Sequence, residues 1–452
     1  MSNIEITDES KRFLDAIDSG ASPIFLTGKA GTGKSTLLRH LRESTLRNVA
    51  VVAPTGLAAL NVGGQTIHSF FRFQPRAIMD KDSIRELYGF PRRLFERLQL
   101  LIIDEVSMVR VDLMDCIDKF LRVNGRRPNM SFGGVQVVMI GDLFQLPPVV
   151  KQGTEHAVLQ KIYGTPFFFG APVFKEAPMQ MFELTKVYRQ EDNEFIECLN
   201  QIREGGDAFM AAIKKINDTC FIGNDHYEGV TMVGTNDQAD AINVAELRRL
   251  PGDIRAYKAD RSGSLAEPTV KEDRLPAPET LRLKEGARVM ILRNDIDGRR
   301  YVNGTVGTIV RLPDIPLMPV TIRIDAKDEN SLDYEDVCVC RNEWHQNRVE
   351  LLGDHYIQSV VGTFEQYPLQ LAYAMTIHKV QGKTLESVLL DTGRGMFADG
   401  QLYVALSRVK SINGLKLRKR LEVRDVQVNP DVIEFYDQHH NTQVIQGGLF
   451  HE

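Results

Sequence analysis

The stretch GKAGTGKST, from Gly28 to Thr36, has the residue types and spacing of a phosphate-binding loop. It follows the apolar run IFL and precedes a helical pattern of leucines. Glycines allow successive backbone N–H groups to curl around an anion, and the following helix adds its positive N-terminal dipole. Lys34 is predicted to reach the β- and γ-phosphates, and the Ser35 hydroxyl to ligate Mg²⁺. The predicted nucleotide contacts are Gly28, Ala30, Gly31, Thr32, Gly33, Lys34, Ser35 and Thr36.

Two adjacent carboxylates in LLIIDEVSM supply the second half of a nucleotide-hydrolysing site. An apolar strand delivers Asp104 and Glu105 together at its carboxyl end. Asp104 is predicted to be a Mg²⁺ ligand, and Glu105 to orient and deprotonate the attacking water. This pair is uninformative alone, but it becomes specific when Lys34 and Ser35 precede it.

Three further side chains are predicted to act on the γ-phosphate. Gln145 in GDLFQLPPV can sense that group, although a turn capped by two prolines is an alternative interpretation. Arg189 in LTKVYRQ and Arg408 in QLYVALSRVK lie in otherwise apolar segments, which favours this role over a place on a solvated helix face. A guanidinium directed at the γ-phosphate stabilises transition-state charge and contributes ~10³-fold or more in rate.

The elements that must position these residues are short apolar strands alternating with helices. NVAVVAP, LQLLIIDE and VQVVMIGD form one set of predicted strands, and VTMVGTND, SVLLDTG and GLKLRK form a later set. This alternation predicts an α/β fold with two similar parallel-sheet units. Ligands bind such sheets at the carboxyl ends of the strands.

Two segments interrupt the alternation. Residues 71–97 carry seven Lys/Arg against four acids, and they form either a functional insertion or a solvated helical hairpin. Residues 251–368 begin rich in proline and charge and continue with VNGTVGTIVRL, PVTIRID, YEDVCVC and NRVELLG. These runs predict an inserted all-β element, most simply a small barrel.

Polar loops in both halves are suited to holding a single nucleic-acid strand. APTGLAALNVGGQTIHSFF follows the second strand, and GTND and AMTIHKVQGKT lie in the later set. Hydroxyls and backbone amides contact phosphates without reading bases, and an aromatic ring can stack on a base. Read singly, His68 and His378 are more simply structural histidines. The predicted strand contacts are Pro54, Thr55, Asn61, His68, Phe70, Phe71, Thr235, Asn236, Thr376, His378 and Lys379.

Composition narrows the class of protein without deciding it. The chain has 452 residues, 43% hydrophobic and 25% charged, with a formal net charge of −5. No segment has the length of an apolar membrane span, and the polar, acidic MSNIEITDES does not resemble a signal peptide. Five scattered cysteines favour reduced, structural thiols in a cytoplasmic protein. An acidic total argues against a histone-like binder, but a groove can still be basic.

Taken together, these motifs resemble one helicase family. GKAGTGKST, APTGLAALNVGGQTIHSFF, LIIDEVSM, FGGVQVVMIGDLFQLPPV, LTKVYRQ, AYAMTIHKVQGKTL and LYVALSRVK run in the order of superfamily 1 helicases of the petite-integration-frequency (PIF) family. Their kin are the RecD-like and phage Dda-like enzymes. The resemblance extends from about residue 22 to 415 and is highly specific.

The resemblance implies two RecA-like domains with Mg-ATP between them. The expected bounds are 1–65 with 98–185 for the first domain, and 186–300 with 366–440 for the second. A wedge is expected at 66–97, an SH3-like barrel at 301–365 and a polar tail at 441–452. Gln381 and Gly382 of the matching segment are predicted nucleotide contacts.

The same resemblance implies the activity and the partners. It implies ATP-driven 5′→3′ translocation of a monomer on single-stranded DNA, with opening of duplex, fork or quadruplex DNA. The chain is similar to the compact bacterial or viral members of the family. No membrane partner is expected, because no segment has the length of an apolar membrane span.

Two other classes of protein remain to be weighed against a helicase. A phosphotransferase would use the phosphate loop but has no use for paired polar loops or a late arginine. A nucleotide-dependent switch would be favoured if Glu105 or the arginines were missing, and they are present.

One departure from the family pattern predicts weak nucleotide selectivity. The family places an adenine-reading glutamine where ITDESKRFLDAI has Ser10, and a serine cannot make the same bidentate contact. We expect GTP to support hydrolysis and unwinding nearly as well as ATP, as measured by kcat/KM for both nucleotides. A hundredfold preference for ATP would contradict this prediction.

Overall fold

The structure is a computed structural model. It describes residues 7–447 except 21, 75–77, 152, 191, 226, 228, 269, 271, 273–274, 294, 296–299, 302, 316–317, 325–335 and 353–354. The chain forms two compact units. The first unit comprises residues 1–188, 347–359 and 428–452, and the second comprises 189–346 and 360–427.

The strands are β1 (Ile24–Gly28), β2 (Val49–Ala53), β3 (Gln65–Thr66), β4 (Leu100–Ile103), β5 (Gln136–Ile140), β6 (Gln180–Leu184), β7 (Val230–Val233), β8 (Arg255–Lys258), β9 (Asp260–Gly263), β10 (Thr280–Leu283), β11 (Arg288–Ile291), β12 (Val306–Arg311), β13 (Val320–Ile324), β14 (Asp336–Val339), β15 (Asn342–Leu352), β16 (His355–Gln366), β17 (Leu369–Leu371), β18 (Ala374–Thr376), β19 (Val388–Asp391) and β20 (Leu415–Leu417).

The α-helices are α1 (Asp8–Asp18), α2 (Lys34–Ser44), α3 (Gly56–Asn61), α4 (Ile67–Phe71), α5 (Phe90–Arg97), α6 (Val111–Asn124), α7 (Thr154–Tyr163), α8 (Val173–Glu176), α9 (Asn193–Glu204), α10 (Phe209–Cys220), α11 (Asn236–Arg249), α12 (Gln401–Leu406) and α13 (Pro430–Gly447).

The first unit is built on a parallel sheet in the order β3-β2-β4-β5-β1-β6. Its strands are buried on both faces because successive side chains enter different cores. Ile24 and Leu26 pack with apolar residues of α1 and α2, whereas Phe25 packs with those of α6. A parallel strand covered on both sides must be continuously apolar, which explains the uninterrupted hydrophobic runs in the sequence. The predicted α/β fold with parallel sheets is confirmed.

The second unit contains another parallel sheet, in the order β18-β7-β19-β20. The later predicted runs VTMVGTND, SVLLDTG and GLKLRK contain β7, β19 and β20. The short strand β18 pairs with β7 from Ala374 to Thr376. Thr376, the last residue of β18, is also the first residue of the segment TIHKVQGKT. The pairing therefore brings that segment to the same sheet edge as the end of β7.

An antiparallel sheet in the order β14-β13-β12-β11-β17 also belongs to the second unit. Its buried side chains, among them Val289, Ile309 and Ile322, form one core. Strands β11 and β17 lie outside the range 301–365 that the family resemblance implied for an SH3-like barrel, so this sheet is wider than that range. The reason is that β11 pairs with both β12 and β17.

The basic segment 66–97 is fastened to α6 by buried polar side chains. Asn124, fully buried, accepts a hydrogen bond from the Leu87 N–H at 2.6 Å and donates to the Arg85 carbonyl at 3.2 Å. The Asp112 carboxylate accepts from the Met79 N–H at 2.6 Å. These bonds fix the path of an irregular stretch whose backbone groups have few partners of their own. Pro75, Arg76 and Ala77 lie outside the described residues.

The C-terminal helix belongs to the first unit, not to the second as the range 366–440 predicted. The Tyr436 hydroxyl lies 2.6 Å from Thr27 Oγ1, and the Phe435 ring packs against Phe25 and Phe169. Val432, Phe435 and Tyr436 of this helix pack into the core of a sheet that precedes it by hundreds of residues, a pairing that sequence order does not reveal. Helix α13 also continues into the predicted tail, of which residues 448–452 lie outside the described part.

Within the described part of the chain, no helix combines the length and apolarity that crossing a bilayer requires. The same residues contain no cluster of His, Cys, Asp and Glu arranged to hold a metal ion. Cys338 and Cys340 are exposed free thiols, and Cys116, Cys198 and Cys220 are buried ones.

Candidate nucleotide and nucleic-acid sites

The phosphate loop leaves the carboxyl end of β1 and enters α2 with a lysine folded back into it. Lys34 Nζ donates to the carbonyls of Gly28 at 2.6 Å and Lys29 at 2.9 Å. The Thr32 hydroxyl donates to the Lys29 carbonyl at 2.9 Å. The loop therefore closes around the lysine ammonium, which suits a cation that must meet phosphate oxygens.

Two glycines are required by this geometry. Gly28 has φ +149°, and a Cβ there would lie 2.6 Å from the Leu184 carbonyl oxygen, so no side chain fits. Gly33 has φ +86° at the N-cap of α2, a left-handed conformation that costs other residues energy. The helix then begins at Lys34, so the positive end of its dipole lies next to the loop.

The acidic pair lies at the end of β4, in the same sheet. Asp104 is only 7% exposed, and its N–H donates to the Val52 carbonyl. Burial, together with the negative charge of Glu105, raises the pKa of Asp104 to about 7, and Lys34 opposes this shift. Since Lys34 and Asp104 interact electrostatically, the structure brings together two of the residues that the sequence selected from separate motifs.

Glu105 follows with a left-handed backbone, φ +49° and ψ +44°. A non-glycine residue in that region is uncommon and strained. The chain therefore leaves the extended course of β4 at Glu105, directly after Asp104.

Gln145 is anchored after β5 by a buried aspartate. Its Nε2 donates to Asp142 Oδ2 at 3.3 Å, and the Phe144 N–H donates to Asp142 Oδ1 at 3.2 Å. Both Asp142 and Gln145 are buried. Asp142 was absent from the predicted site, although its place after a buried strand was the available signal.

The two predicted arginines converge on one residue of the second unit. Arg189 donates to the Ser407 carbonyl at 3.4 Å, and Arg408 donates to Ser407 Oγ at 2.6 Å. Arg408 is 1% exposed and also donates to the Val404 carbonyl at 2.8 Å. Gln190 donates to the carbonyls of Ser407 and Val409 and joins the two segments. Sequence reasoning missed Gln190, whose neighbour Arg189 was the signal.

An aromatic residue beside the phosphate loop was also missed. The Tyr188 N–H donates to the Gly31 carbonyl at 2.9 Å, and a Cβ on Gly33 would lie 3.8 Å from the Tyr188 ring. The ring is 47% exposed. An exposed ring at this place can stack on a flat ligand group.

The first unit places the predicted polar loop after β2. Pro54 and Thr55 follow the strand, and the Thr55 hydroxyl accepts from the Ala58 N–H at 3.2 Å, so it caps α3. Asn61 at the end of α3 is exposed, and His68 in α4 is half-buried. These four residues remain candidates for strand contact.

Phe70 and Phe71 are a correction to the predicted strand contacts. Phe70 is 6% and Phe71 1% exposed, and both rings pack in an aromatic cluster with Phe73, Phe95 and Phe120. Rings in that position stabilise the core and cannot stack on a base. The exposed aromatic residues of this segment are instead Tyr88, at 77%, and Phe90, at 53%.

The second unit gathers its predicted polar residues at one sheet edge. Thr235 caps α11 through the Gln238 N–H, and Asn236 opens that helix. Thr376 ends the neighbouring strand β18 and is buried, while His378 and Lys379 are exposed. The Ile377 N–H donates to the Val233 carbonyl, which holds the two loops side by side. Gln381 and Gly382 follow in the same turn.

Ser10, which stands at the family's glutamine position, is used locally. Its hydroxyl lies 3.1 Å from Thr7 Oγ1, and its N–H donates to that same atom, in the N-terminal cap of α1. Ser10 therefore contributes to the start of α1, and weak nucleotide selectivity stays a prediction.

Comparisons with known proteins add the evolutionary context. The sequence profile of the PIF1-like helicase family matches residues 5–218. The "ATP-dependent DNA helicase Pif1" of Bdellovibrio bacteriovorus is 32% identical, over 96% of this chain and 92% of that protein. The "ATP-dependent DNA helicase PIF1" of Emericella nidulans is 33% identical over 94% of this chain.

The chain spans 62% of the Emericella protein, and it covers about as much of the human relative. Among solved structures, the Pif1 helicase from Bacteroides in complex with ADP-AlF3 and single-stranded DNA superposes with a TM-score of 0.66. It is 32% identical, over 97% of this chain and 98% of that one.

The raised pKa of Asp104 predicts a stability cost at the site. The folded chain holds this proton up to about pH 7, whereas an ordinary aspartate releases it near 3.8. Stability should therefore fall as pH rises between these values. Without Mg²⁺ and nucleotide, Asp104→Asn should raise the free energy of unfolding at pH 8 by on the order of 2 kcal/mol, and by less at pH 5.5.

Urea unfolding at both pH values measures this effect. The exposed Asp437 offers the matched control, since Asp437→Asn makes the same chemical change without burial. An equal gain for Asp104→Asn at both pH values would contradict the assignment.

Proposed function

Because the chain belongs to the PIF1-like helicase family, we propose that it is an ATP-dependent DNA helicase that translocates 5′→3′ on single-stranded DNA. One observation carries this proposal. Lys34 of the phosphate loop and the buried Asp104 lie at one sheet edge and interact electrostatically. The names of the relatives in Bdellovibrio and Emericella support the activity. The 5′→3′ direction is the polarity that the family resemblance implies.

ATP is the substrate of the proposed first-unit site. The backbone of residues 28–36 and Lys34 would bind its phosphates, and Glu105 would take the proton of the attacking water. Ser35 and Asp104 are the hydroxyl and carboxylate that suit Mg²⁺, whose bound form neutralises phosphate charge. Gln145, held by Asp142, would respond to the γ-phosphate.

Arg189 and Arg408 are proposed to stabilise the charge that develops in hydrolysis. Their shared partner Ser407 supports a joint role, because a shift of either guanidinium changes the surroundings of the other. Each substitution by alanine removes an interaction made in the transition state and so lowers kcat more than nucleotide affinity. We propose that both units are RecA-like domains and that their relative movement couples hydrolysis to translocation.

Single-stranded DNA is proposed to contact polar loops on both sheets. Thr55, Asn61 and His68 would contribute in the first unit, and Thr235, Asn236, Thr376, His378 and Lys379 in the second. Loops at the carboxyl ends of parallel strands are the usual ligand sites of such sheets. Duplex, fork or quadruplex DNA would be the substrate to be opened, by a chain acting as a monomer.

The segment 66–97 is proposed as the wedge, and the antiparallel sheet around β12 and β13 as an SH3-like barrel. Tyr88 and Phe90 flank Gly89 at the beginning of α5, so two exposed aromatic residues lie two positions apart in the chain. Anchoring by Asn124 and Asp112 gives this turn a rigid base. A rigid apolar edge is what splitting a base pair requires.

The proposed activity is tested by unwinding of duplexes that carry a 5′ or a 3′ single-stranded tail. We expect ATP-dependent opening of the 5′-tailed duplex and little opening of the 3′-tailed one, together with strong stimulation of ATP hydrolysis by single-stranded DNA. Glu105→Gln is the matched control, since it should keep nucleotide and DNA binding but lose turnover. Hydrolysis indifferent to DNA would contradict the helicase proposal, and opening of only the 3′-tailed duplex would contradict the direction.

The wedge has its own prediction. Replacing Tyr88 and Phe90 together by alanine should reduce unwinding at least tenfold, because each base-pair step costs ~1.4 kcal/mol in stacking and the splitting edge is lost. DNA-stimulated hydrolysis should stay within a few-fold of the unchanged chain, since movement along a lone strand needs no splitter. Met130→Ala serves as the control, because Met130 is a comparably exposed apolar residue outside the segment. A parallel fall of both activities would contradict the wedge assignment.

A further inference from the structure

A loop that follows β19, residues 392–400, lies beside the polar residues at the end of β7. A Cβ on Gly393 would lie 3.0 Å from Gln238 Nε2, and one on Gly234 would lie 3.3 Å from Phe397 Cε1. Both contacts reach the first turn of α11, or the residues just before it. Strand β7 lies between β18 and β19, so this loop, Thr235 and Thr376 all lie at the carboxyl ends of neighbouring parallel strands, at one sheet edge.

Side chains that follow the loop in the chain fix its backbone by hydrogen bonds. The Met396 N–H donates to Asp425 Oδ1 at 3.1 Å, and the Met396 carbonyl accepts from Gln427 Nε2 at 2.8 Å. The Phe397 N–H donates to Gln401 Oε1 at 3.0 Å. An anchored loop loses little conformational entropy when a ligand binds its outer face.

Two side chains of the loop are exposed. The Phe397 ring is 60% exposed although its backbone is fixed, and the Arg394 side chain is exposed as well. An exposed phenylalanine on a rigid loop is unfavourable in water unless something covers it. Its position beside Gly234 and Thr235 indicates a ligand of the polar loops.

Gln401 supplies an independent indication that this place is built around a ligand. It is fully buried, and its Nε2 has no hydrogen-bond partner in the part of the chain that the structure describes. That atom would lie 3.9 Å from a Cβ on Gly234. A buried amide without a partner is costly, and such groups accumulate where function requires them. Gln401 is a positioning residue here, because it fixes the Phe397 backbone.

We propose that Phe397 stacks on a base of single-stranded DNA and that Arg394 pairs with a neighbouring phosphate. This inference rests on the proposed helicase function and names further contacts of its DNA site. A flat exposed ring accepts any unpaired base, whereas paired bases offer no free face. Aromatic stacking combined with a nearby cation is how proteins hold a single strand without reading its sequence.

The stacking is tested by equilibrium binding of a fluorescent oligothymidylate without nucleotide. Phe397→Leu keeps the apolar volume but removes the π-face, and it should weaken binding about tenfold. Phe397→Trp should restore binding. Met210→Ala is the control, because Met210 is a similarly exposed residue of the second unit, on α10.

A matched strand in which every nucleotide is abasic separates stacking from structural damage. The difference between the unchanged chain and Phe397→Leu should disappear on that strand. The inference is overturned if Phe397→Leu binds oligothymidylate normally, or if it loses as much affinity on the abasic strand. Failure of the unchanged chain to bind oligothymidylate would instead overturn the proposed function, and this inference with it.

Arg394 is tested by the salt dependence of binding. Arg394→Ala should lower the slope of log Kd against log salt by about 0.7, the value for one phosphate contact on a single strand, and Arg394→Lys should preserve it. An unchanged slope in Arg394→Ala would overturn the phosphate contact. The stacking is decided separately, by the binding of Phe397→Leu to oligothymidylate and to the abasic strand.

Discussion

The pairing of β1 between β5 and β6 is the constraint on which the nucleotide site depends. Because Gly28 lies opposite Leu184 in this parallel ladder, the chain has no space for a side chain where the phosphate loop begins. Parallel pairing also places the end of β4 at the same edge, so Asp104 comes within electrostatic reach of Lys34. A slip of one residue in this register would exchange the two buried faces of the strand and move the loop.

The buried charged residues that the two units contribute to the candidate sites are costly to the fold. Asp104 is buried beside Glu105, Arg408 is buried beside Ser407, and Asp142 is buried beneath Gln145. Each is held by backbone or side-chain hydrogen bonds, which compensate partly for lost hydration. Groups arranged in this way are already oriented when a ligand arrives, and preorganisation of this kind is what electrostatic catalysis requires.

The aromatic residues fall into two groups: buried rings that support the core, and exposed rings that are candidates for contact with DNA. Phe70 and Phe71 were selected as strand contacts because they follow a polar loop, but they complete the core under α5 and α6. Tyr88, Phe90 and Phe397 carry no motif signal, yet their rings are exposed on anchored turns. The sequence alone does not distinguish a buried aromatic residue from an exposed one. Only the packing around the ring shows whether it supports the core or can contact a ligand.

The sequence by itself determined the fold class, the phosphate loop, the acidic pair and the family, because these depend on local periodicity and on residue types at fixed spacing. The later strands VTMVGTND, SVLLDTG and GLKLRK were predictable for the same reason. Tertiary structure alone decided that α13 covers the first sheet, that β11 and β17 extend the antiparallel sheet, and that Arg189 and Arg408 meet at Ser407. These features join residues that are tens to hundreds of positions apart, and their partners are chosen by burial and hydrogen bonding, which spacing along the chain does not encode.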